Sequence, residues 1–297
     1  MKSNKWKDFF INTCKGIGIG VSMIIPGVSG GTMAVLMNIY DKILDAITGI
    51  FKNFKTSFIF LLPLALGAII GLLGLVPFIN IGLKNFPLIT VSLFVGFIIG
   101  GLPFIYKEVE RKESLLNIIV FLLCGLLVVS LCFIKTDFEL DVSTLNLGNI
   151  SYLFLAGVAS SIALVAPGIS GSMTLMVMGV YFTLTTKIEE ILSFTNLGHN
   201  ILIFIPLGLG LIVGFAFMSL LMKYLLKNHK VPTYYGILGL IIGSIVTIYY
   251  VTITDSSFQV KLDGLNITLS VIILIGGMLL TYFIEKYAID HSQKEKE

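Results

Sequence analysis

Two short stretches combine residues that break helices with residues that can hold an anion. Residues 26–32 read PGVSGGT, and residues 167–173 read PGISGSM. Proline removes a backbone N–H donor and glycine weakens a helix, so each stretch should interrupt the apolar segment around it. A helix that resumes after such a break begins with N–H groups that lack helical partners, and nearby hydroxyls add further donors. This pattern is typical of a phosphate or carboxylate site.

The candidate binding residues come from these two stretches and the hydroxyl that follows the second. They are Pro26, Gly27, Ser29, Gly30, Gly31, Thr32, Pro167, Gly168, Ser170, Gly171, Ser172 and Thr174. Lys84 and Lys227 are secondary candidates, which either meet a phosphate at an entrance or simply reach toward the membrane interface. Because the second stretch has Ser172 and Met173 where the first has Gly31 and Thr32, we give the first more weight. A plain helix kink or a tight packing point is the structural alternative.

The composition places these breaks in a membrane. Of the 297 residues, 56% are hydrophobic and 12% are charged, and the net charge is +3. The mean hydropathy is +0.97. Soluble domains carry about 25% charged residues, so the chain is predicted to be a polytopic membrane protein. Irregular backbone at membrane depth is tolerated only where it is buried in protein or lines a wet cavity, so the breaks mark a candidate functional site.

The apolar pattern predicts an all-α polytopic membrane protein with two inverted repeats, each a re-entrant helical hairpin followed by three transmembrane helices. Repeat 1 covers residues 1–150, with its hairpin at 16–48 and spans at about 57–80, 88–106 and 115–134. Repeat 2 covers residues 151–285, with its hairpin at 152–185 and spans at about 201–225, 233–251 and 267–284. Residues 286–297 form a charged cytoplasmic tail. Each hairpin arm is expected to have about 10 residues, or about half a bilayer.

The repeat prediction rests on residues that recur at a constant spacing. At an offset of 141, Pro26, Gly27, Ser29, Gly30, Met37 and Tyr40 match Pro167, Gly168, Ser170, Gly171, Met178 and Tyr181. At an offset of 143, Pro63, Gly67, Gly71, Gly96 and Gly100 match Pro206, Gly210, Gly214, Gly239 and Gly243. A constant offset over several helices indicates an internal duplication.

The distribution of Lys and Arg predicts the orientation. If both broken segments re-enter on the side from which they came, 16 of the 20 Lys and Arg residues face the cytoplasm. If both segments cross, 12 of the 20 do. The positive-inside rule therefore favours re-entrant hairpins with both termini cytoplasmic. Three crossings per repeat then require the second repeat to be inverted, with the two hairpin tips meeting from opposite sides.

The sequence argues against an enzyme, a cofactor and a nucleic-acid partner. No histidine or carboxylate lies inside a predicted span, so a nucleophile beside a base is not apparent. Cys14, Cys124 and Cys132 lack metal-ligand spacing, and no metal site is predicted. The alternatives that stay open are a small-anion channel or transporter that uses the same half-helix tips and, as a weaker one, an enzyme acting on a lipid phosphate.

The paired motifs, each preceded by a helix containing Gly and Ser (GIGIGVSMII and AGVASSIALVA), resemble the bacterial polyprenyl-phosphate transporter family over residues 5–290. The resemblance implies a flippase in the bacterial cell membrane that moves undecaprenyl phosphate from the outer to the inner leaflet. This recycles the lipid carrier for peptidoglycan and other envelope polymers. Because the predicted spans hold no carboxylate, histidine or lysine at mid-depth, proton or cation coupling is expected to act through the substrate phosphate. The sequence leaves the oligomeric state open.

Overall fold

Twelve α-helices and no strand make up the part of the chain that the structure describes. The structure is a computed structural model, and it describes residues 5–23, 30–50, 52–109, 114–134, 138–254 and 259–294. The helices of the first half are α1 (Lys5–Ser22), α2 (Gly30–Leu36), α3 (Tyr40–Thr48), α4 (Phe54–Asn85), α5 (Pro87–Glu108) and α6 (Leu115–Leu131). Those of the second half are α7 (Leu147–Val165), α8 (Gly171–Val177), α9 (Tyr181–Leu192), α10 (Leu197–Asn228), α11 (Lys230–Thr254) and α12 (Gly264–Lys294).

Six of these helices are long and apolar enough to cross a membrane, so the protein is a multi-pass membrane protein. The apolar stretches are Phe54–Gly71, Pro87–Lys107, Leu147–Val165, Leu197–Asn228, Lys230–Thr254 and Gly264–Phe283. Helix α6 is apolar but has only 17 residues and ends at Leu131, three residues before the predicted end of its span. Helix α12 runs on to Lys294, into the predicted tail, because its last residues include good helix formers such as Glu, Lys and Gln.

The first arm of each broken segment is longer than predicted. Helix α1 has 18 residues and begins at Lys5, whereas the hairpin was predicted from residue 16; α7 has 19 residues and begins at Leu147 rather than at 152. Each arm is therefore about 27 Å long, close to the thickness of a hydrocarbon core, and the expected length of about 10 residues is wrong. Charged residues at the start of α1 do not stop the helix, since Lys is a good helix former.

The returning arm of each broken segment is itself interrupted at one matched residue. Asn38 ends the turn after α2 with φ 53°, and Gly179, 141 positions later, does the same after α8 with φ 65°. Two backbone hydrogen bonds close the helix end in each turn. The bond over the longer chain separation runs from Ile39 N–H to Ala34 O at 3.0 Å after α2, and from Val180 N–H to Leu175 O at 2.9 Å after α8. This is the Schellman pattern, in which Asn or Gly adopts the left-handed conformation after the last helical residue.

Glycines let the long helices of each half approach backbone to backbone. A side chain at Gly16, Gly67 or Gly71 would collide with the carbonyls of Leu64, Thr13 and Ile17, so α1 and α4 pack as closely as the glycines allow. The matching glycines of the second half meet the matching carbonyls: Gly157 faces Leu207, Gly210 faces Phe154, and Gly214 faces Val158. Small residues at such crossings are the usual basis of helix association in lipid.

The last helix of each half, α6 or α12, packs against a helix of the other half. In α5, Gly96 and Gly100 face the carbonyls of Leu274 and Met278 in α12. In α11, Gly239 and Gly243 face the carbonyls of Phe121 and Gly125 in α6. The last helix of each half therefore packs on the long helix α5 or α11 of the other half, so the two halves form one intertwined bundle rather than two separate ones.

Candidate functional site

The second motif is described in full and forms a capped start to α8. Ser170 is the N-cap residue, and its Oγ accepts from the backbone N–H of Met173 at 3.5 Å. The same hydroxyl shares a 2.9 Å hydrogen bond with the Ser172 hydroxyl, which is exposed. The Thr174 hydroxyl donates to Ser170 O at 3.1 Å. The polar side chains of this motif thus bond mainly to one another and to the turn.

The first motif is described from Gly30 onward, and Pro26, Gly27 and Ser29 lie outside the described residues. Gly30, Gly31 and Thr32 form the first turn of α2 and are all buried. In the second motif the buried residues are Pro167, Gly168 and Gly171, while Ser170 and Thr174 are partly exposed. Because α2 and α8 have only seven residues each, any ligand would meet local N–H groups rather than the dipole of a long helix.

The two motifs contact each other directly. The Gly168 N–H donates to the Thr32 Oγ1 at 2.6 Å, and the Thr32 side chain is completely buried. Gly168 has φ 88°, a conformation that favours glycine. A second buried link follows, in which the Tyr40 hydroxyl donates to Val165 O at 2.8 Å. The Thr32 hydroxyl and the Gly168 N–H, both predicted to hold the phosphate, are therefore partners of each other in this structure.

Each short helix is also held at its C-terminal end by the long helix before it. Lys15 of α1 donates from its Nζ to Met37 O at 2.8 Å, and Tyr152 of α7 donates from its hydroxyl to Met178 O at 2.8 Å. Met37 and Met178 are matched positions of the two halves. A donor at this end satisfies a carbonyl that the helix leaves unpaired, so the C-terminal end of each short helix is fixed as well.

A cavity of about 160 Å³ lies against the first motif; we call it the tip cavity. Its lining residues are Ile19, Met23, Gly30, Gly31, Ala34, Tyr40, Ile43, Leu44, Ile47, Leu164, Val165, Phe215 and Ser219. Apart from Tyr40 and Ser219, the side chains on this list are apolar. The two glycines leave backbone open to the cavity, so the tip cavity offers a largely apolar space beside a stretch of backbone that a polar group can approach closely.

Ser219 lines this cavity and has a buried hydroxyl without a partner among the described residues. Its side chain is completely buried, and its Oγ has no hydrogen-bond partner among the described residues. Serine and threonine inside helices usually bond back to a carbonyl of the preceding turn, as Ser244 and Thr247 do in α11 at 2.8 and 3.0 Å. An unpaired buried hydroxyl is unfavourable, so its place on the wall of a cavity points to a ligand that completes it.

Sequence reasoning missed Ser219 and Tyr40 as site residues. Tyr40 was visible only as a matched aromatic, and its matched residue Tyr181 makes an edge-to-face contact with Phe182. Ser219 has no matching hydroxyl, since Val76 occupies that position of the first half. The one available signal for Ser219 was a hydroxyl in the middle of the apolar α10, which by itself is common in membrane helices.

The secondary candidates Lys84 and Lys227 lie in the last turns of α4 and α10, and both are exposed. A cation in this position interacts favourably with the helix C-terminus. Lys227 lines a second cavity, of about 290 Å³, which is lined by a different set of residues from the tip cavity except for Leu44. Neither lysine is among the residues that line the tip cavity.

Glu190, in α9, is poorly suited to take up a proton near neutral pH. Glu190 accepts from the Lys187 ammonium at 2.8 Å and from the Asn200 amide at 2.8 Å. These two bonds, with the positive charge of Lys187, lower the pKa of Glu190 below its usual value. Within the described ranges, no group of three or more His, Cys, Asp or Glu residues is arranged to hold a metal ion.

Comparison with known proteins matches the chain to one family. The family model described as undecaprenyl phosphate translocase-like matches residues 19–266. A polyprenyl-phosphate transporter of Staphylococcus aureus is 34% identical over 254 residues, which cover 84% of this chain and 88% of that protein. A polyprenyl-phosphate transporter of Vibrio cholerae is 23% identical over 323 aligned positions, covering 96% of this chain and 99% of that protein. No solved structure matches the chain.

Proposed function

The chain belongs to the undecaprenyl phosphate translocase-like family, and from that premise we propose that it is a flippase for a polyprenyl phosphate. In this proposal it moves undecaprenyl phosphate from the outer to the inner leaflet of the bacterial cell membrane and so recycles the carrier for peptidoglycan and other envelope polymers. Relatives named polyprenyl-phosphate transporters, which align with most of the chain, support this substrate class. A transporter needs no catalytic residue, so the proposal includes no enzymatic step.

The observation that carries the proposal is the tip cavity, where two adjacent glycines, an unpaired hydroxyl and apolar side chains lie together. Gly30, Gly31 and Ser219 can bind a phosphate, and the apolar lining suits the first part of an isoprenoid chain. Moving a bare phosphate through hydrocarbon is prohibitively costly, so the protein has to replace water only around the head group. Such an apolar lining is poorly suited to the passage of a small hydrated ion.

We also propose that the two halves are inverted repeats with re-entrant hairpins. The matched Schellman turns, the matched glycine contacts and the exchange of the third spans support a common plan for both halves. In this proposal α4, α5 and α6 cross in the first repeat and α10, α11 and α12 in the second, while α7, although long enough to cross, is an arm of the second hairpin. Three crossings per repeat make the second repeat inverted. The direct bond between Thr32 and Gly168 supports hairpin tips that meet from opposite sides.

This topology predicts which loops are accessible from outside. In a protein without Cys14, Cys124 and Cys132, Ser143→Cys in the loop before α7 should react with an impermeant thiol reagent on intact cells. Ser143 is exposed, so burial does not limit its reaction. The matched control is Asn228→Cys at the exposed end of α10, which should react only after lysis. Labelling of Ser143→Cys only after lysis would rule out the proposed orientation.

Ser219→Ala tests the substrate site. Loss of one hydrogen bond to the substrate should raise the apparent KM for polyprenyl phosphate about fivefold, which corresponds to about 1 kcal/mol. The thermal stability of the substrate-free protein should stay the same or rise, because an unpaired buried hydroxyl is removed. Flipping is measured with purified protein in vesicles. Ser244→Ala, which removes a buried hydroxyl bonded to Ile241 O, is the control and should leave KM unchanged.

A Ser219→Ala protein with wild-type KM would show that this hydroxyl does not contact the substrate.

The same vesicles test the proposed coupling through a protonated substrate phosphate, whose second pKa is about 6. Inward flipping should accelerate as the outer pH falls toward about 6, because protonation lowers the charge to be carried. A rate that is independent of both the pH gradient and the membrane potential would indicate uncoupled flipping.

A further inference from the structure

The cavity around Lys227 contains a cluster of charges that the tip cavity does not use. It is formed by Lys223 and Lys227 from the end of α10, Lys230 from the start of α11, and Asp41 and Asp45 from α3. Leu44, Leu226 and Tyr234 complete its lining, and we call the whole set the lysine basin. Three ammonium groups face two carboxylates, so the basin has one positive charge in excess.

The ammonium groups of the basin differ in how they are paired. Lys223 Nζ lies 2.6 Å from Asp45 Oδ1 and 3.2 Å from Thr48 Oγ1, so it ties α10 to α3. The side chains of Lys223 and Asp45 are 45% and 66% exposed, which makes the pair weak and exchangeable. Lys227 has no hydrogen bond or ion pair with any described residue. Lys230 lies over the Tyr234 ring, with its Nζ 5.9 Å from the ring centroid.

Helix α3 separates the lysine basin from the tip cavity. Asp41 and Asp45 line the basin, whereas Tyr40, Ile43 and Ile47 line the tip cavity, and Leu44 lines both. The two cavities are therefore neighbours across a single nine-residue helix. The Lys223–Asp45 ion pair holds the exposed side of this helix against α10.

The duplicated scaffold does not require these charges. At the matching helix ends of the first half, Asn80, Lys84 and Pro87 stand where the basin has Lys223, Lys227 and Lys230. At the matching positions of α9, Phe182 and Thr186 replace Asp41 and Asp45. The same helices thus form with one lysine and no carboxylate, which indicates that the basin serves a purpose beyond packing.

We propose that the lysine basin is a second phosphate site, separate from the tip cavity, for the head group of an isoprenoid monophosphate. The phosphate replaces Asp45 as the partner of Lys223 and also engages Lys227, and this exchange releases α3 from α10. A phosphate monoester carries about −1.5 to −2 charges at pH 7 and offers more acceptor oxygens than a carboxylate, so it competes well for the ammonium groups. The proposal rests on the proposed function, since it assumes the same substrate class.

The test measures binding of farnesyl phosphate, a short isoprenoid monophosphate, to purified protein in detergent, where membrane orientation plays no part. Wild type and Gly30→Val, in which the tip cavity is filled, are compared with and without the double substitution Lys223→Gln and Lys227→Gln. We expect the double substitution to weaken binding about tenfold or more in the Gly30→Val background, where the basin is the remaining site, because it removes two charged donors. In the background with an open tip cavity it should remove one of two binding sites. The matched control is Lys52→Gln with Lys55→Gln, two exposed lysines that do not line the basin, and it should bind like wild type.

Asp45→Asn provides a second measurement with the opposite sign. Freeing Lys223 from its carboxylate should tighten binding in the wild-type background but not in a Lys223→Gln background, as a double-mutant cycle would reveal. A general effect of the removed negative charge would persist in both backgrounds and would overturn the proposed exchange. Equal affinity for inorganic phosphate and farnesyl phosphate would overturn the assignment to a lipid.

Failure of the basin and failure of the proposed function give different results. If wild type flips polyprenyl phosphate in vesicles but the double lysine substitution leaves farnesyl phosphate binding by Gly30→Val unchanged, only the basin is wrong, and its lysines serve membrane orientation alone. If wild type neither binds farnesyl phosphate nor flips polyprenyl phosphate, the proposed function itself fails and the basin proposal falls with it.

Discussion

A Gly30→Val protein is expected to insert and fold but to lose transport of polyprenyl phosphate. A Cβ at this position would lie 3.3 Å from Ile19 Cγ2 and 3.4 Å from Met23 Cε, contacts with side-chain ends that can shift slightly. The two further methyl groups of valine would then enter the tip cavity, whose volume is about 160 Å³, and keep a head group away from the Gly30 and Gly31 backbone. Because the obstruction lies at the binding backbone, the loss should be nearly complete, whereas Gly30→Ala should be milder.

The measurement is the flipping rate of polyprenyl phosphate in vesicles, together with the amount of inserted protein. Gly276→Val is the matched control, since Gly276 is exposed in α12 and a Cβ there would meet no atom within 4 Å. Valine is a better helix former than glycine, so this control should insert and transport normally. Normal transport by Gly30→Val at wild-type abundance would show that the first motif is only a packing feature.

Thr32→Val is expected to destabilise the protein and to slow transport at least tenfold, because it separates the two motifs. The Gly168 N–H donates to Thr32 Oγ1 at 2.6 Å, and with valine in its place this buried N–H loses its acceptor. An unsatisfied buried donor costs about 1–3 kcal/mol. The bond joins residues 136 positions apart in the chain, so its loss removes a restraint between the two motifs as well as a local contact.

Thermal unfolding in detergent and flipping in vesicles measure these two effects. Thr32→Ser is the matched control, because it keeps the hydroxyl that accepts from Gly168 and removes only a methyl group. It should lie close to wild type in transport and well above Thr32→Val in stability. If Thr32→Val and Thr32→Ser unfold at the same temperature, the hydroxyl does not stabilise the contact between the motifs.

The sequence indicated many local features because they depend on residue type and spacing. Proline and glycine marked the two broken segments, and the uniform apolar stretches marked the helices α4, α5, α6, α10, α11 and α12. The matched glycines at offsets 141 and 143 pointed to a common plan, and in the structure they make matching contacts, such as Gly67 on Thr13 and Gly210 on Phe154. The left-handed turn at Asn38 and Gly179 was not among the predictions, although these residue types favour that conformation after a helix.

The boundaries of the hairpin arms could not be read in the same way. The prediction began each hairpin where the polar residues end, but Lys5, Lys7 and Asp8 are compatible with a helix, and α1 simply includes them. At the other end, α12 continues through the charged residues before Lys294 for the same reason. Helix length depends on backbone propensity as well as hydrophobicity, so a pattern based on hydrophobicity alone places the ends several residues away.

By itself, the sequence determined the all-helical membrane architecture and the two motif positions, because hydrophobicity and the conformational limits of proline and glycine act locally. Only the tertiary structure decided that α5 packs on α12 and α6 on α11, since many glycine-lined faces could pair equally well. It also decided that Thr32 accepts from Gly168 and that the Ser219 hydroxyl is left unpaired at a cavity wall. The helix pairing and both hydroxyl environments depend on which distant residues become neighbours. Whether a buried hydroxyl has a hydrogen-bond partner is decided by those neighbours and not by its position in the chain.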